Sequence, residues 1–336
     1  VVGSGLFQVG GYAAITVSHA ERPEETERPE VSELIAALMA WGQISPRASY
    51  LVELDMAKRT TETWTGRESD QWLLPVRMYV EYAASDLLRL RVGRFLTPIG
   101  QWNEHHAEPL TWTPTRPLTT YHPFAKSLTG LLAAGERPVA GRDVGYALFW
   151  SPRGSPGGGL DAAEESAFID AAGGRVAVEI RPGLTLGLSG ARIRRSRPVD
   201  PEDPDHLDSH AEEDEGPEHD EREEDASERA LLGADVRWER RGFEVAVEGN
   251  WLPASEHGAS EGGAFALAAV HVRGPWWAVG RAESYRLPDS STANVGFAGL
   301  ALRASPRFVA KLGWQFTENP SSRIPDGWFV SLSSLF

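Results

Sequence analysis

The stretch QWNEHHAEPLTWTPTRPLTTYHPFA, residues 101–125, gathers the side chains best suited to chemistry. Glu104, His105, His106, Glu108, Arg116 and His122, with Lys126 just beyond, place imidazoles, carboxylates and cations in one short segment. Imidazole and carboxylate suit zinc or copper. Adjacent side chains of an extended chain point to opposite sides, however, so His105 and His106 diverge. The helical HExxH spacing of zinc hydrolases is also absent. What the segment does offer is fixed charge of both signs on a stiff backbone. Pro109, Pro114, Pro117 and Pro123 restrict the chain, and Trp102, Trp112 and Tyr121 can anchor it to a wall.

A second chemical cluster is the acidic run spanning 198–229. Between Asp200 and Glu228 it holds sixteen carboxylates, one basic residue (Arg222), and the imidazoles of His206, His210 and His219. The chain carries 48 acidic and 33 basic residues, a formal net charge of −15, so this one segment accounts for the entire imbalance. Low hydrophobicity and high charge predict disorder. Such a loop is a solvated surface, a collector of cations near an entrance, or a bridge to lipopolysaccharide through divalent ions. His206, His210 and His219 are weak candidate metal ligands in it, for loosely held divalent cations.

Enzyme chemistry finds little support. No GxSxG, P-loop, HExxH or dinucleotide-binding fingerprint occurs, and the GGG at 157–159 lacks a strand–helix context. The chain has no cysteine, which excludes disulfides, thiolate metal sites and covalently attached haem. The expectation is a protein that is no enzyme, with no cofactor of its own and no nucleic-acid partner.

The elements that position these residues read as hairpins. With 34 Gly, 23 Pro and 12 Trp, the composition is wrong for a helical bundle. A mean hydropathy of −0.33 suggests solubility, but membrane strands alternate and average out as polar. Alternating segments of about 10–14 residues recur from FQVGGYAAITVSHA at 7–20 to GWFVSLSSLF at 327–336. Short connections (SPR at 45–47, SD at 85–86, RPG at 181–183, RRG at 240–242, RGP at 273–275, SPR at 305–307) alternate with long polar ones at 21–30, 65–70, 101–125, 151–166, 197–229, 255–263 and 287–294. That asymmetry belongs to an up-and-down membrane barrel of about sixteen strands, with tight periplasmic turns and long outer loops.

Parity divides the faces. Trp72, Leu74, Val76, Met78 and Val80 oppose Arg77, Tyr79 and Glu81; Val176, Val178 and Ile180 oppose Arg175, Glu179 and Arg181; Val236 and Trp238 oppose Asp235, Arg237 and Glu239. Phe243, Val245 and Val247 oppose Glu244, Glu248 and Asn250, and Phe308, Leu312, Trp314 and Phe316 oppose Lys311 and Gln315. A Lys or Arg facing lipid at mid-bilayer costs about 2–4 kcal/mol, so the polar faces line water. Arg77, Glu81, Arg89, Arg91, Arg175, Glu179, Arg237 and Lys311 are the candidate wall residues of that lumen. Arg94 breaks parity with Val92 and Leu96, which implies a bulge or a position at the rim.

The strand GWFVSLSSLF ending in Phe336 resembles the C-terminal signature read by the outer-membrane insertion machinery, and RVGRFLTPIGQW at 91–102 resembles the fifth strand of phosphate-selective and related sixteen-stranded porins. The chain as a whole resembles a Gram-negative outer-membrane porin. That resemblance implies a single barrel domain over 1–336, in its mature form without a signal peptide and embedded in lipid and lipopolysaccharide. It implies Phe336 as an assembly signal. It also implies that 101–125 folds inward as a constriction loop, with Glu104, His105, His106, Glu108, Arg116 and His122 at the narrowing. The expected function is passive diffusion of small solutes or ions. The alternatives are a sleeve around a partner such as a multihaem cytochrome and a channel that collects metal cations. A homotrimer is favoured by the resemblance, with the small face Ala278, Gly280 and Ala282 allowing close packing.

Overall fold

The two-residue alternation becomes one closed antiparallel sheet. The computed structural model describes residues 2–20, 30–63, 66–120, 123–152, 168–195, 227–255, 259–287, 290–318 and 326–336. A short strand, β1 (Val2–Ser4), precedes sixteen long ones. The first eight are β2 (Phe7–Ala20), β3 (Glu30–Ser45), β4 (Ala48–Thr63), β5 (Gly66–Ser85), β6 (Leu88–Leu96), β7 (Ser127–Val139), β8 (Arg142–Ser151) and β9 (Phe168–Arg181). The rest are β10 (Leu184–Arg195), β11 (Ser227–Arg240), β12 (Phe243–Leu252), β13 (Glu261–Arg273), β14 (Trp276–Arg286), β15 (Thr292–Arg303), β16 (Phe308–Thr317) and β17 (Gly327–Leu335). Neighbours in sequence pair antiparallel, and β17 pairs with β2 to close the ring. Closure pairs each of the sixteen long strands on both sides, the arrangement by which a sheet can cross a bilayer without an unpaired edge. At the seam, Phe336 N donates to Gly11 O at 2.9 Å and Gly11 N to Phe336 O at 3.1 Å.

One end of the barrel carries the tight turns. Both SPR tripeptides turn in the same way. The Ser45 hydroxyl accepts from the N–H groups of Arg47 and Ala48 at 3.4 and 3.1 Å. The Ser305 hydroxyl accepts from those of Arg307 and Phe308 at 3.2 and 3.1 Å. A hydroxyl capping the turn replaces ladder bonds that the reversing backbone loses.

Three sequence expectations need correction. Residues 65–70 are not a long connection: β4 runs to Thr63 and β5 begins at Gly66, with Thr63 paired to Gly66 and Arg59 to Asp70. Ladder bonds need no apolar side chain, and threonine favours strands, so the polar sequence extends the hairpin. The acidic run is shorter at its end, because 227–229 belong to β11; 196–226, with His206, His210 and His219, lie outside the described residues.

The third correction concerns the face of β5. Glu53 pairs with Arg77 but Leu54 with Pro75, leaving Val76 as an extra residue. This bulge reverses parity: Leu73 and Met78 are exposed on the outer face, whereas Val76 is buried. Proline lacks the N–H that a regular ladder requires, and a bulge is where a strand tolerates it. Arg94 is not at a bulge: it stays in register opposite Met78. Gly93 beside it has φ 124°, where an L side chain is disfavoured. Arg94 is buried, and its Nε donates to the Pro75 carbonyl.

Arg181 is a further exception: a bulge at Ile180 pairs it with Leu184 and sets its guanidinium over the Trp238 ring, on the face opposite Glu179. At the remaining positions the faces alternate as the charges demand. Val176, Leu300, Leu312 and Phe316 are exposed outward, while Asp235, Glu248, Lys311 and Gln315 are buried on the inner side. A cluster of Phe95, Ile99, Phe124, Leu128, Leu132, Phe149, Ile193, Leu231 and Leu252 packs at the long-loop end. It joins the 97–126 connection to the inner face of the strands beside it.

Candidate functional site

The connection between β6 and β7 occupies 97–126, wider than the 101–125 read from sequence. Its base is tied by Asn103, whose Nδ2 donates to Thr97 O at 2.8 Å and Lys126 O at 2.9 Å. From there the segment lies against buried side chains of the inner wall. Glu248 on β12 accepts from the N–H groups of Gln101 and Trp102 at 2.8 and 3.0 Å. Gly100 makes this approach possible: its φ is 68°, and a Cβ there would sit 1.9 Å from Glu248 Oε1.

Further along, Arg281 on β14 donates to the Thr113 hydroxyl at 3.0 Å, the Thr115 hydroxyl at 2.9 Å and the Thr115 carbonyl. Glu283 accepts from the N–H groups of Leu118 and Thr119, and Asn250 Nδ2 donates to Thr119 O at 2.9 Å. Lys311 on β16 donates to Glu108 O at 2.7 Å and Thr111 Oγ1 at 2.6 Å, with Glu108 Oε2 3.4 Å away. Arg303, the last residue of β15 before a tight turn, reaches the Leu110 carbonyl at 3.3 Å. Trp112 is held between Trp277 (ring centroids 4.9 Å apart) and the Arg303 guanidinium (3.9 Å from the ring). Trp102 packs edge-on against Phe265 at 5.6 Å. The segment therefore runs down the inside of the barrel as far as the tight-turn end.

The two histidines separate. His105 is exposed, with Nδ1 3.0 Å from Gln101 O and Nε2 3.4 Å from Arg237 Nη1. His106 is buried, with Nδ1 3.2 Å from Asn103 O and Nε2 3.5 Å from Glu53 Oε1. Burial, with the Lys126 charge second, holds the His106 imidazole down at about 4, while Glu53 opposes. His106 is therefore neutral at pH 7. Burial pushes the Glu108 carboxyl up, against the lowering effect of the Lys311 ammonium.

The sequence-derived wall residues divide into groups. Arg77 binds Glu53, and Arg175 makes a two-pronged pair with Asp235 at 2.6 and 3.0 Å. Arg237 meets Glu244 at 3.1 Å. Together with exposed Glu104 and His105 these lie around the inner segment. Arg91, Arg89 and Glu81 form their own group near the β5–β6 turn, with Arg91 2.7 Å and Arg89 4.0 Å from Glu81. Arg116 turns back onto its own loop, donating to the Thr120 hydroxyl at 2.9 Å. Glu179 accepts from Gly183 N at 2.9 Å and so serves the β9–β10 turn. His122 and Tyr121 lie outside the described residues.

Sequence reasoning missed Glu53, Asp55, Asn103, Arg281 and Glu283. Four of these share the inward parity of a strand (Glu53 with Asp55, Arg281 with Glu283), which is the one signal that marks them. A recess between the inner segment and β11–β13, lined by Trp102, His105, Trp112, Arg237, Glu244 and Phe265, offers aromatic faces beside charge.

No protein-family model matches the chain, and no curated protein matches it in sequence. Among solved structures it is similar to OmpF of Salmonella typhi in complex with daunomycin, with a TM-score of 0.65 and 10% identity over 98% of this chain and 97% of that one. It is also similar to an anion-selective porin from Comamonas acidovorans (TM-score 0.62, 12% identity, 98% and 99% covered). A trimer form of OmpT, an outer membrane protein of Vibrio cholerae, matches at a TM-score of 0.58 and 6% identity, with 98% and 100% covered. At these identities the likeness is one of fold. The chain has the closed sixteen-stranded barrel fold of Gram-negative porins.

Proposed function

We propose that the protein is an outer-membrane channel for passive diffusion of small hydrophilic solutes or ions, with 97–126 as its constriction. The observation that carries this reading is the row of buried wall charges, Glu248, Arg281, Glu283 and Lys311, each bonded to the loop. A segment held at so many points against the inner wall occupies part of the barrel interior and so would narrow it. The passage that remains is bordered by Glu104, His105, Arg175 and Arg237, charges of both signs, which suits hydrated solutes better than a single-sign filter. The small outward residues Ala278, Gly280 and Ala282 support close approach of a second copy, in keeping with the trimer form of the Vibrio cholerae neighbour.

Bilayer recordings on the purified protein test the reading. Steady open-channel current is expected, and deletion of 103–122 should raise the unit conductance. An unchanged conductance in a correctly folded deletion variant would remove the loop from the permeation path. A barrel that is nearly silent and co-purifies with a redox protein would favour the sleeve.

A further inference from the structure

We propose that Glu53, Asp55 and His106 form a binding site for one divalent cation of the zinc class, which ties the inner loop to the barrel wall. Glu53 and Asp55 are two residues apart on β4, so their side chains leave the same, inner face. His106 comes from the loop, just after the short 3-10 turn Trp102–His105. Its Nδ1 faces the Asn103 carbonyl at 3.2 Å. That carbonyl accepts from the Nδ1–H tautomer, in which the Nε2 lone pair is directed at the carboxylates, as in most metal-ligating histidines.

The carboxylates are likewise half engaged. Glu53 gives Oε2 to Arg77, and Asp55 Oδ2 lies 3.7 Å from Lys126 Nζ. What remains, Glu53 Oε1, Asp55 Oδ1 and His106 Nε2, is buried and has no hydrogen-bond partner among the described residues. The three residues offer ligand atoms that all lie within 4.8 Å of one another. His106 Nε2 and Glu53 Oε1 are 3.5 Å apart. The edge of a tetrahedron with bonds of about 2.1 Å is about 3.4 Å, so the spacing is that of two ligands on one zinc ion. Two lone pairs facing each other at this distance in a buried place repel unless a cation or a proton lies between them. One nitrogen and two oxygens are too few and too mixed for calcium or magnesium, which want six or more oxygens. Imidazole nitrogen and carboxylate oxygen are both zinc ligands, and three of them leave a fourth position for water.

The full-length protein, purified in detergent and stripped with chelator, would be titrated with zinc chloride in a calorimeter. Wild type should take up one equivalent that His106→Asn weakens by at least about tenfold and His105→Asn retains. Weak uptake by the acidic run would be common to all three proteins. Equal titrations of wild type and His106→Asn would overturn the proposal and leave a plain imidazole–carboxylate contact. If His106→Asn fails to fold, wild-type crystals soaked in zinc decide it by anomalous scattering. A peak between His106, Glu53 and Asp55 supports the site, and peaks found only elsewhere overturn it.

Discussion

Replacing Lys311 by methionine keeps an unbranched side chain and removes its charge. Lys311 is 2% exposed, and its ammonium makes two short bonds to the loop, at 2.6 and 2.7 Å, beside the Glu108 carboxylate at 3.4 Å. Hydrogen bonds from a charged donor are worth about 1.5–3 kcal/mol each, and breaking a buried pair by removing one partner costs about 3–5 kcal/mol. Taking the lower part of that range, at about 1.4 kcal/mol per tenfold, local opening of 108–113 should become about 10²–10³ times more frequent. Hydrogen exchange followed by mass spectrometry on the folded protein reads this directly, with the β3–β4 hairpin as an internal reference. Single-channel current should become noisier at the same time. The double variant Lys311→Met/Glu108→Met should recover much of the protection, because no buried charge is then left without its partner. Exchange in Lys311→Met within about twofold of wild type would refute the anchoring role. So would a double variant that is worse than the two single losses added together.

Gly100→Ala should loosen the start of the same loop. Its Cβ would collide with the Glu248 carboxylate, and the lost bonds plus the positive φ amount to about 2–4 kcal/mol; faster exchange at Gln101 and Trp102 is the readout, and wild-type protection would contradict it. Deleting 200–226 should lower cation over anion preference at low salt and change little at high salt, since its field decays over about 30 Å at about 0.01 M but about 8 Å near physiological ionic strength. Reversal potentials across a salt gradient measure this, and equal values at low salt would leave the segment without an electrostatic role.

The sequence by itself determined the barrel. A two-residue period runs through most of the strands because one face points into the barrel and the other out of it, and the Ser-, Pro- and Gly-bearing turns mark one end of the hairpins. It fell short where backbone pairing needs no side-chain signal, as at 66–70, where polar residues simply continue the ladder. It also fell short at Val76, where one inserted residue exchanges the faces of β5. The inner loop was visible as a stiff, charged segment, but its partners were not. Glu108 and Lys311 are 203 positions apart and Gln101 and Glu248 are 147 apart, and no local pattern links residues at such separations. Nor does any spacing in the sequence join His106 to Glu53 and Asp55. Only the closed sheet, which brings β4, β12 and β16 around one interior, decides which charge meets which.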